Sequence, residues 1–192
     1  MRVFIGIDFP IAIKEKLYER ALQIKQTATS GNFSRLDLYH LTLNFIGEVT
    51  EKQCDEICRL MDAVAKRHGP FVLKFGGIGS FPSRGKHIVF NEVAGDLKAL
   101  KALQEELERK LIEAEYPVDA SRRYKPHITL GREVKTERVS LLKPLIPIPD
   151  EVFIDQIILF ESTRIHGELH YLPLHQTALK GPISSQPFAE VR

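Results

Sequence analysis

The order of predicted strands and helices constrains the fold of this 192-residue chain more than any other feature. Three segments carry apolar residues at helical spacing, and runs of β-branched and aromatic residues typical of strands separate them. The predicted strands lie near residues 2–9, 38–47, 71–80, 86–93, 126–134, 151–162 and 168–178. Because helices alternate irregularly with single and paired strands, the order favours an α+β fold with largely antiparallel sheets over a regular βαβ winding.

Each predicted helix has a start signal that fits helix-capping chemistry. The first helix follows Pro10, and the third begins after Asp96, a good N-cap residue. The second begins at Thr50, whose partner Gln53 completes a capping box. The apolar stripes expected to face the core are Ile13, Leu17, Ala21 and Ile24; Ile57, Leu60, Met61 and Val64; and Leu100, Leu103, Leu107 and Leu111.

Composition and charge exclude several classes of protein. The chain is 43% hydrophobic and 27% charged, which is ordinary for a globular protein, and no apolar run approaches the ~20 residues that span a bilayer. We therefore expect no membrane association and, because the first residues resemble a strand more than a signal peptide, a cytoplasmic protein. The net charge of +2 is too small for a protein that coats nucleic acid, but it permits a local phosphate site.

A short motif occurs twice, far apart in the chain. The two copies are His40-Leu41-Thr42-Leu43 and His127-Ile128-Thr129-Leu130. On a β-strand successive side chains alternate between faces, so each copy places a His and a Thr on one face and two aliphatic residues on the other. A helix precedes each motif strand, which predicts two related halves that face each other across a central cleft, with the helices outside. We expect residues 1–180 to form this single bilobal domain and residues 181–192 to be a flexible tail.

Two imidazoles in one cleft form a complete set for proton transfer. An ordinary His titrates near pH ~6.5, so one can act as a neutral base and the other as a protonated acid. Thr42 and Thr129 add hydroxyl donors on the same faces. A phosphate fits between them, with its non-bridging oxygens on the hydroxyls and the imidazoles on opposite sides of phosphorus. The pattern predicts in-line displacement without a metal.

These residues carry a resemblance to the two-histidine (2H) phosphoesterases, and within them to the RNA 2',3'-cyclic phosphodiesterase branch, also called 2'-5' RNA ligase. The similarity covers most of the chain. It extends over residues 2–7, 40–48, 126–132 and 159–162, with Gly167 and Tyr171 downstream.

The resemblance implies hydrolysis of 2',3'-cyclic phosphate ends of RNA, or of small cyclic nucleotides, to 2'-phosphates. By analogy His127 is the base that activates water and His40 is the acid that protonates the departing 3' oxygen, although the two roles could be exchanged. Thr42 and Thr129 would hold the phosphate, and Arg132 would add a cation. Strict strand alternation places Arg132 on the face opposite His127, so its role requires a bulge at Gly131 or the end of the strand.

Further residues have more than one reading. Arg122, Arg123 and Lys125 precede the second motif and are candidate RNA contacts as well as candidate solvated surface. Phe45 shares parity with Leu41, so it is predicted to be core rather than a platform on which a base stacks.

A metal site at His166, His170 and His175 is an alternative that the sequence pattern disfavours. Gly167 marks a turn, and His170 and His175 would point to opposite faces of one strand. We predict no metal and no other cofactor.

Two alternative functions remain open. The same two histidines could serve 2'-5' ligation of RNA halves, because a sugar hydroxyl would only replace water as the nucleophile. In a non-catalytic module that binds RNA or nucleotide phosphate, the two motifs would only hold the phosphate. Binding alone, however, does not require two titratable groups. The sequence leaves the oligomeric state open, with a monomer favoured.

Overall fold

The computed structural model describes residues 1–119, 121, 123–136, 148 and 150–182. The helices are α1 (Ile11–Thr27), α2 (Glu51–Ala65) and α3 (Leu97–Glu113), with a 3-10 turn at Leu36–Leu38. The strands are β1 (Arg2–Asp8), β2 (Ser30–Phe33), β3 (His40–Glu48), β4 (Phe71–Ser83), β5 (Lys86–Gly95), β6 (His127–Lys135), β7 (Glu151–Ile154), β8 (Gln156–Ile165) and β9 (Glu168–Ala178). Among these elements, no helix is both long enough and apolar enough to cross a membrane.

The strands form two antiparallel sheets, which confirms the predicted α+β class. One sheet has the order β3-β1-β8-β9, and the other has the order β2-β6-β5-β4-β7. Every pairing between neighbouring strands is antiparallel. One motif strand belongs to each sheet, so the two copies of the motif come from different halves of the fold.

The predicted helix signals form as expected. Gln53 donates its backbone N–H to the Thr50 hydroxyl at 3.3 Å, and its side-chain oxygen accepts from the Thr50 N–H at 2.9 Å. Asp96 accepts from the N–H of Ala99 at 3.2 Å. All but one of the twelve predicted stripe residues are buried, the exception being the half-buried Leu60. These stripes and the aliphatic faces of both motif strands join one continuous hydrophobic core, which fixes the two sheets relative to each other.

Two details of the strand prediction are wrong. The four residues of β2 were not predicted as a strand, because Ser30, Gly31 and Asn32 lack the apolar alternation of a buried strand and β2 lies at a sheet edge. The single strand predicted over residues 151–162 is two, β7 and β8, separated at Asp155 and paired in different sheets. At the carboxyl end Gly181 donates its N–H to the His68 carbonyl, and residues 183–192 of the predicted tail lie outside the described residues.

Candidate active site

The two motif strands begin at their histidines and keep the predicted alternation over the motif. Leu41 and Leu43 on β3, like Ile128 and Leu130 on β6, are buried in the core. The His and Thr of each motif are half-buried on the opposite face. The alternation therefore separates each motif into a core face and a polar face, because successive side chains of a strand point in opposite directions.

Reciprocal hydrogen bonds tie the two motif strands together. Tyr124, three residues before His127, donates its hydroxyl to the carbonyl of Thr42 at 3.1 Å. In return Ser34, in the segment before the first motif, donates its hydroxyl to the carbonyl of Thr129 at 3.2 Å. The segment that precedes each motif is thus hydrogen-bonded to the strand that carries the other motif. These two bonds fix the polar faces of the motifs relative to each other.

Hydrogen bonds at both ring nitrogens orient the imidazole of His40. Its Nδ1 lies 2.8 Å from the carbonyl of Leu38 and its Nε2 lies 2.9 Å from the Thr42 hydroxyl. A carbonyl only accepts, so Nδ1 carries the proton and Nε2 of the neutral ring accepts from the Thr42 hydroxyl. The rings of Phe4 and Tyr171 pack on the imidazole with centroids 4.8 Å away in each case.

The imidazole of His127 has an equivalent setting. Its Nδ1 donates to the carbonyl of Lys125 at 2.8 Å, again two residues earlier in the chain. The rings of Phe81 and Phe90 lie with centroids 5.2 Å from the imidazole. In both motifs the backbone fixes the tautomer and leaves Nε2 as the atom that can take or give a proton.

Burial makes both imidazoles neutral in the free protein. Burial lowers the pKa of His40 to about 4, and the positive charge of Arg132 adds to that lowering. Burial also lowers the pKa of His127, with further contributions from Arg132 and Lys125. At neutral pH both Nε2 atoms are therefore unprotonated and can act as bases. An anion placed between them would raise both pKa values, because a nearby opposite charge favours the charged imidazolium.

Arg132 reaches the polar face through an irregularity of β6. In the pairing with β5, Val89 is opposite Gly131 but its neighbour Phe90 is opposite Thr129, so one extra residue of β6 is inserted there. This is a β-bulge at the position where the predicted role of Arg132 required one. Its charge acts on both imidazoles, and its side chain lines the same groove as His40.

Open space lies on both sides of Thr42. A groove of about 760 Å³ contains His40, Thr42 and Arg132, and is hereafter the His40 groove. A second groove of about 770 Å³, the His127 groove, contains His127 and Thr42. A smaller pocket of about 170 Å³ is lined by His40, Thr129 and Arg132, so the second threonine also opens beside the first histidine. All five predicted site residues thus line this set of two grooves and a pocket, which share Thr42, His40 and Arg132.

The basic residues before the second motif are placed in part. Arg122 lies outside the described residues, whereas Arg123 and Lys125 line the His127 groove. The ammonium of Lys125 lies 5.1 Å from the ring centroids of both Phe81 and Phe90. Its charge is therefore held at the edge of the groove by cation–π contacts.

The prediction that Phe45 is core is wrong. The side chain is 46% exposed, whereas its neighbour Asn44 is buried. The register of β1 and β3 shifts where Ile5 is opposite Asn44 and Gly6 is opposite Thr42, so a bulge reverses the parity of the strand after the motif. Phe45 consequently lines both grooves, and the guanidinium carbon of Arg2 lies 4.8 Å from its ring centroid.

Two histidines outside the motifs are paired with carboxylates. His175 is hydrogen-bonded to Asp62 at 2.8 Å, and His68 is hydrogen-bonded to Glu106 at 2.6 Å. Within the described part of the chain, no three His, Cys, Asp or Glu side chains are grouped as metal ligands. Cys54 and Cys58 are free thiols.

Sequence reasoning missed the aromatic neighbours of the imidazoles. Phe4 and Tyr171 enclose His40, and Phe81 and Phe90 enclose His127. These residues come from β1, β9, β4 and β5, and only the sheet topology brings them to the motifs. Phe4 and Tyr171 belong to the segments that carry the family resemblance, which assigns them no role.

A family profile, a related protein and two solved structures match most of this chain. The profile described as 2'-5' RNA ligase superfamily matches residues 14–162. An RNA 2',3'-cyclic phosphodiesterase of Bacillus subtilis is 32% identical over 130 residues, which are 68% of this chain and 70% of that protein. The crystal structure of a Thermus thermophilus protein, TT0787, superimposes with a TM-score of 0.79 at 24% identity, covering 94% of this chain and 99% of that one. E. coli LigT complexed with 3'-AMP gives 0.76 at 24% identity, covering 93% and 97%.

Proposed function

Since the chain belongs to the 2'-5' RNA ligase superfamily, we propose that it is an RNA 2',3'-cyclic phosphodiesterase that opens cyclic phosphate ends to 2'-phosphomonoesters. The observation that carries this proposal is the equivalent setting of His40 and His127. Each donates Nδ1–H to the carbonyl two residues earlier, each lines an open groove, and the charge of Arg132 acts on both imidazoles. Two bases held in this way suit a reaction that needs one proton removed and one supplied.

The reaction follows from the chemistry of the cyclic ester. Nε2 of His127 removes a proton from water, and the water oxygen forms a bond to phosphorus. The bond from phosphorus to the 3' oxygen breaks, and Nε2–H of His40 protonates that oxygen as it departs. The phosphate then remains on the 2' oxygen. The resemblance to the family supports this assignment of the two roles.

The remaining site residues would hold the phosphate. Thr42 and Thr129 would donate their hydroxyls to its non-bridging oxygens, and Arg132 would balance the negative charge that grows on them during attack. In the free protein the Thr42 hydroxyl donates a hydrogen bond to Nε2 of His40. Once Nε2 is protonated it becomes a donor, and the hydroxyl is released to turn toward the phosphate.

The proposal extends to the substrate, the oligomeric state and the cellular location. The substrate would be RNA with a 2',3'-cyclic end, or a small cyclic nucleotide, with Arg123 and Lys125 contacting the strand. We propose that residues 1–180 act as one catalytic domain, as a monomer in the cytoplasm. Free thiols at Cys54 and Cys58 agree with a reducing compartment.

The direct test is an assay on a short RNA that ends in a 2',3'-cyclic phosphate, with EDTA present. We expect complete conversion to the 2'-phosphate at an unchanged rate in EDTA, with the product identified by ³¹P NMR. A 3'-phosphate product would reverse the assignment of the leaving oxygen. Strict dependence on added metal would overturn the mechanism. A 2'-5'-linked product from two RNA halves would favour ligation, and tight binding without turnover would favour a non-catalytic module.

The pH dependence of the rate should be bell-shaped with its optimum on the acidic side. The reactive form has one imidazole protonated and the other neutral, so kcat/KM should be largest between their two pKa values. Both values are lowered, that of His40 to about 4, so the optimum of kcat/KM should lie below the ordinary His pKa of about 6.5. The kcat optimum should lie at higher pH, because bound phosphate raises both pKa values. Steady-state kinetics across pH 4–8 would check both positions, and a kcat/KM optimum above pH ~7.5 would contradict them.

A further inference from the structure

The charged side chains that line the His40 groove are mostly arginines. They are Arg2, Arg132 and Arg164, together with the carboxylates of Glu48 and Glu161. Within the described residues, none of the three guanidiniums forms an ion pair with a carboxylate. A cleft in which cations outnumber carboxylates has a positive potential and concentrates anions. The groove is therefore suited to an anionic ligand.

Two of the three arginines already have a partner in the site. Arg132 acts on both imidazoles, and the guanidinium carbon of Arg2 lies 4.8 Å from the ring centroid of Phe45. Arg164 is exposed, and its Nη1 donates to the carbonyl of Gly167 at 2.7 Å, in the turn between β8 and β9. This bond holds the side chain on its own hairpin and uses one of the five N–H donors of the guanidinium. Arg164 is thus a cation of the groove that the proposed reaction does not use.

Arg164 lies on the same strand face as the rings around His40. Alternation along β8 places Phe160, Ser162 and Arg164 on one face. The ring centroid of Phe160 is 6.2 Å from that of His40. Opposite Ser162 on β9 is Tyr171, whose ring centroid is 4.8 Å from that of His40. Arg164 follows Ser162 by two residues, or about 7 Å along the strand, so it lies further out in the same groove.

The proposed reaction determines where the RNA strand lies. The 2' and 3' oxygens of a cyclic phosphate belong to one ribose, so the nucleoside lies on the side of the departing 3' oxygen and opposite the attacking water. With His40 protonating the 3' oxygen, the nucleoside extends into the His40 groove. The 5' oxygen of the same ribose carries the phosphodiester to the upstream nucleotide. This second phosphate therefore follows the nucleoside into the groove, one nucleotide away from the cyclic phosphate.

We propose that Arg164 and the hydroxyl of Ser162 bind the phosphodiester that joins the terminal nucleotide to the upstream nucleotide. This inference rests on the proposed function. The planar fork of a guanidinium can bond two phosphate oxygens, and serine hydroxyls commonly donate to phosphates of nucleic acids. Contacts with the backbone do not read the base. The subsite would therefore favour the end of an RNA strand over a cyclic mononucleotide, whatever the sequence of the strand.

The test compares three substrates with the same terminal adenosine 2',3'-cyclic phosphate. The first is the mononucleotide, the second is the ApA dinucleotide, and the third is this dinucleotide with a neutral methylphosphonate linkage. Both dinucleotides carry a 2'-O-methyl group on the upstream ribose, which keeps the linkage stable. We expect the wild-type protein to prefer the charged dinucleotide about tenfold in kcat/KM over each of the other two.

Substitutions at the subsite should reduce this preference. R164A should remove it, because no guanidinium then faces the upstream phosphate. R164K should keep part of it, because an ammonium retains the charge without the planar fork. S162A should reduce it by a smaller factor, because a neutral hydroxyl bonds a phosphate more weakly than a cation does.

Arg59 provides a matched control. It is exposed on α2 and lines neither the His40 groove nor the His127 groove, so R59A should keep the preference of the wild type. Circular dichroism and thermal melting would show that all variants fold. The subsite is overturned if the wild type does not distinguish the charged linkage from the neutral one, or if R164A keeps the preference. Loss of the preference in R123A but not in R164A would also overturn it, because Arg123 lines the His127 groove.

Binding gives a readout that does not depend on turnover. The ligands are 2'-AMP and the ApA dinucleotide with a terminal 2'-phosphate, each titrated by calorimetry. R164A should weaken binding of the dinucleotide about tenfold more than binding of 2'-AMP. Because one phosphate contact is lost, the slope of log Kd against log salt concentration for the dinucleotide should fall by about 0.7.

The two readouts separate the subsite from the proposed function. If cyclic ends are not opened but R164A still weakens binding of the dinucleotide selectively, the proposed function fails and the subsite stands. If cyclic ends are opened and R164A binds both ligands as the wild type does, the subsite fails and the function stands.

Discussion

Replacement of either His40 or His127 by alanine is expected to lower the single-turnover rate on cyclic-end RNA by roughly 10² to 10⁴-fold. Each variant removes one of the two proton transfers and leaves the phosphate contacts of the other residues in place. The double variant should be little slower than the slower single variant, because a reaction that has lost one proton transfer gains little from the other. Rapid-quench measurement at saturating protein isolates this chemical step from substrate binding and product release.

His175 is the matched control for these substitutions. Its imidazole is also half-buried on a strand and hydrogen-bonded, but to Asp62 on α2 and outside both grooves. H175A should therefore keep the rate of the wild type. A wild-type rate in H40A or H127A would remove that histidine from the reaction, and equal losses in H175A would point to a structural effect.

Replacement of Arg132 by alanine is expected to lower kcat/KM by about 10² to 10³-fold, the range seen when one donor to a developing oxyanion is removed. R132K should recover only part of the loss, because an ammonium lacks the planar fork that bonds two phosphate oxygens. The measurement is steady-state kinetics on the same cyclic-end RNA.

The pH profile separates a direct role of Arg132 from a structural one. Its positive charge lowers the pKa of both imidazoles in the folded protein. Without that charge both pKa values rise, so the kcat/KM optimum of R132A should move to higher pH. A loss of activity with an unmoved optimum would mean that Arg132 does not act on the imidazoles.

Local rules of sequence were sufficient for most of the framework. The helix caps at Thr50 and Asp96 follow from hydrogen-bonding chemistry within a few residues. The separation of each motif into a core face and a polar face follows from strand alternation. The repeat of a His-Thr pair in two strands then predicted that both would meet, because binding one phosphate from two sides requires it.

Features that depend on pairing between distant strands could not be predicted in this way. Alternation continued past Leu43 places Phe45 in the core, but the pairing with β1 inserts a bulge there. The similar bulge before Arg132 was required by the family resemblance but not indicated by local sequence alone. Register is a property of two strands together, so one strand read by itself gives no sign of the shift.

The lowered pKa values are a further property that only the assembled fold reveals. Both motifs offer ordinary histidines in sequence, and the expectation was one neutral and one protonated imidazole. In the structure, aromatic rings from four other strands bury both and make both neutral. Substrate charge must then supply the proton affinity that the acid needs, which couples protonation to binding of the phosphate.

The central claim is that one imidazole supplies a proton to the departing oxygen while the other removes a proton from water. The most direct measurement uses a cyclic end in which sulfur replaces the 3' oxygen, because a thiolate departs without protonation. The account predicts that single-turnover hydrolysis of this substrate by H40A approaches the wild-type rate, whereas H127A stays slow. Recovery of neither variant, or of both, would contradict acid and base catalysis by this pair of histidines.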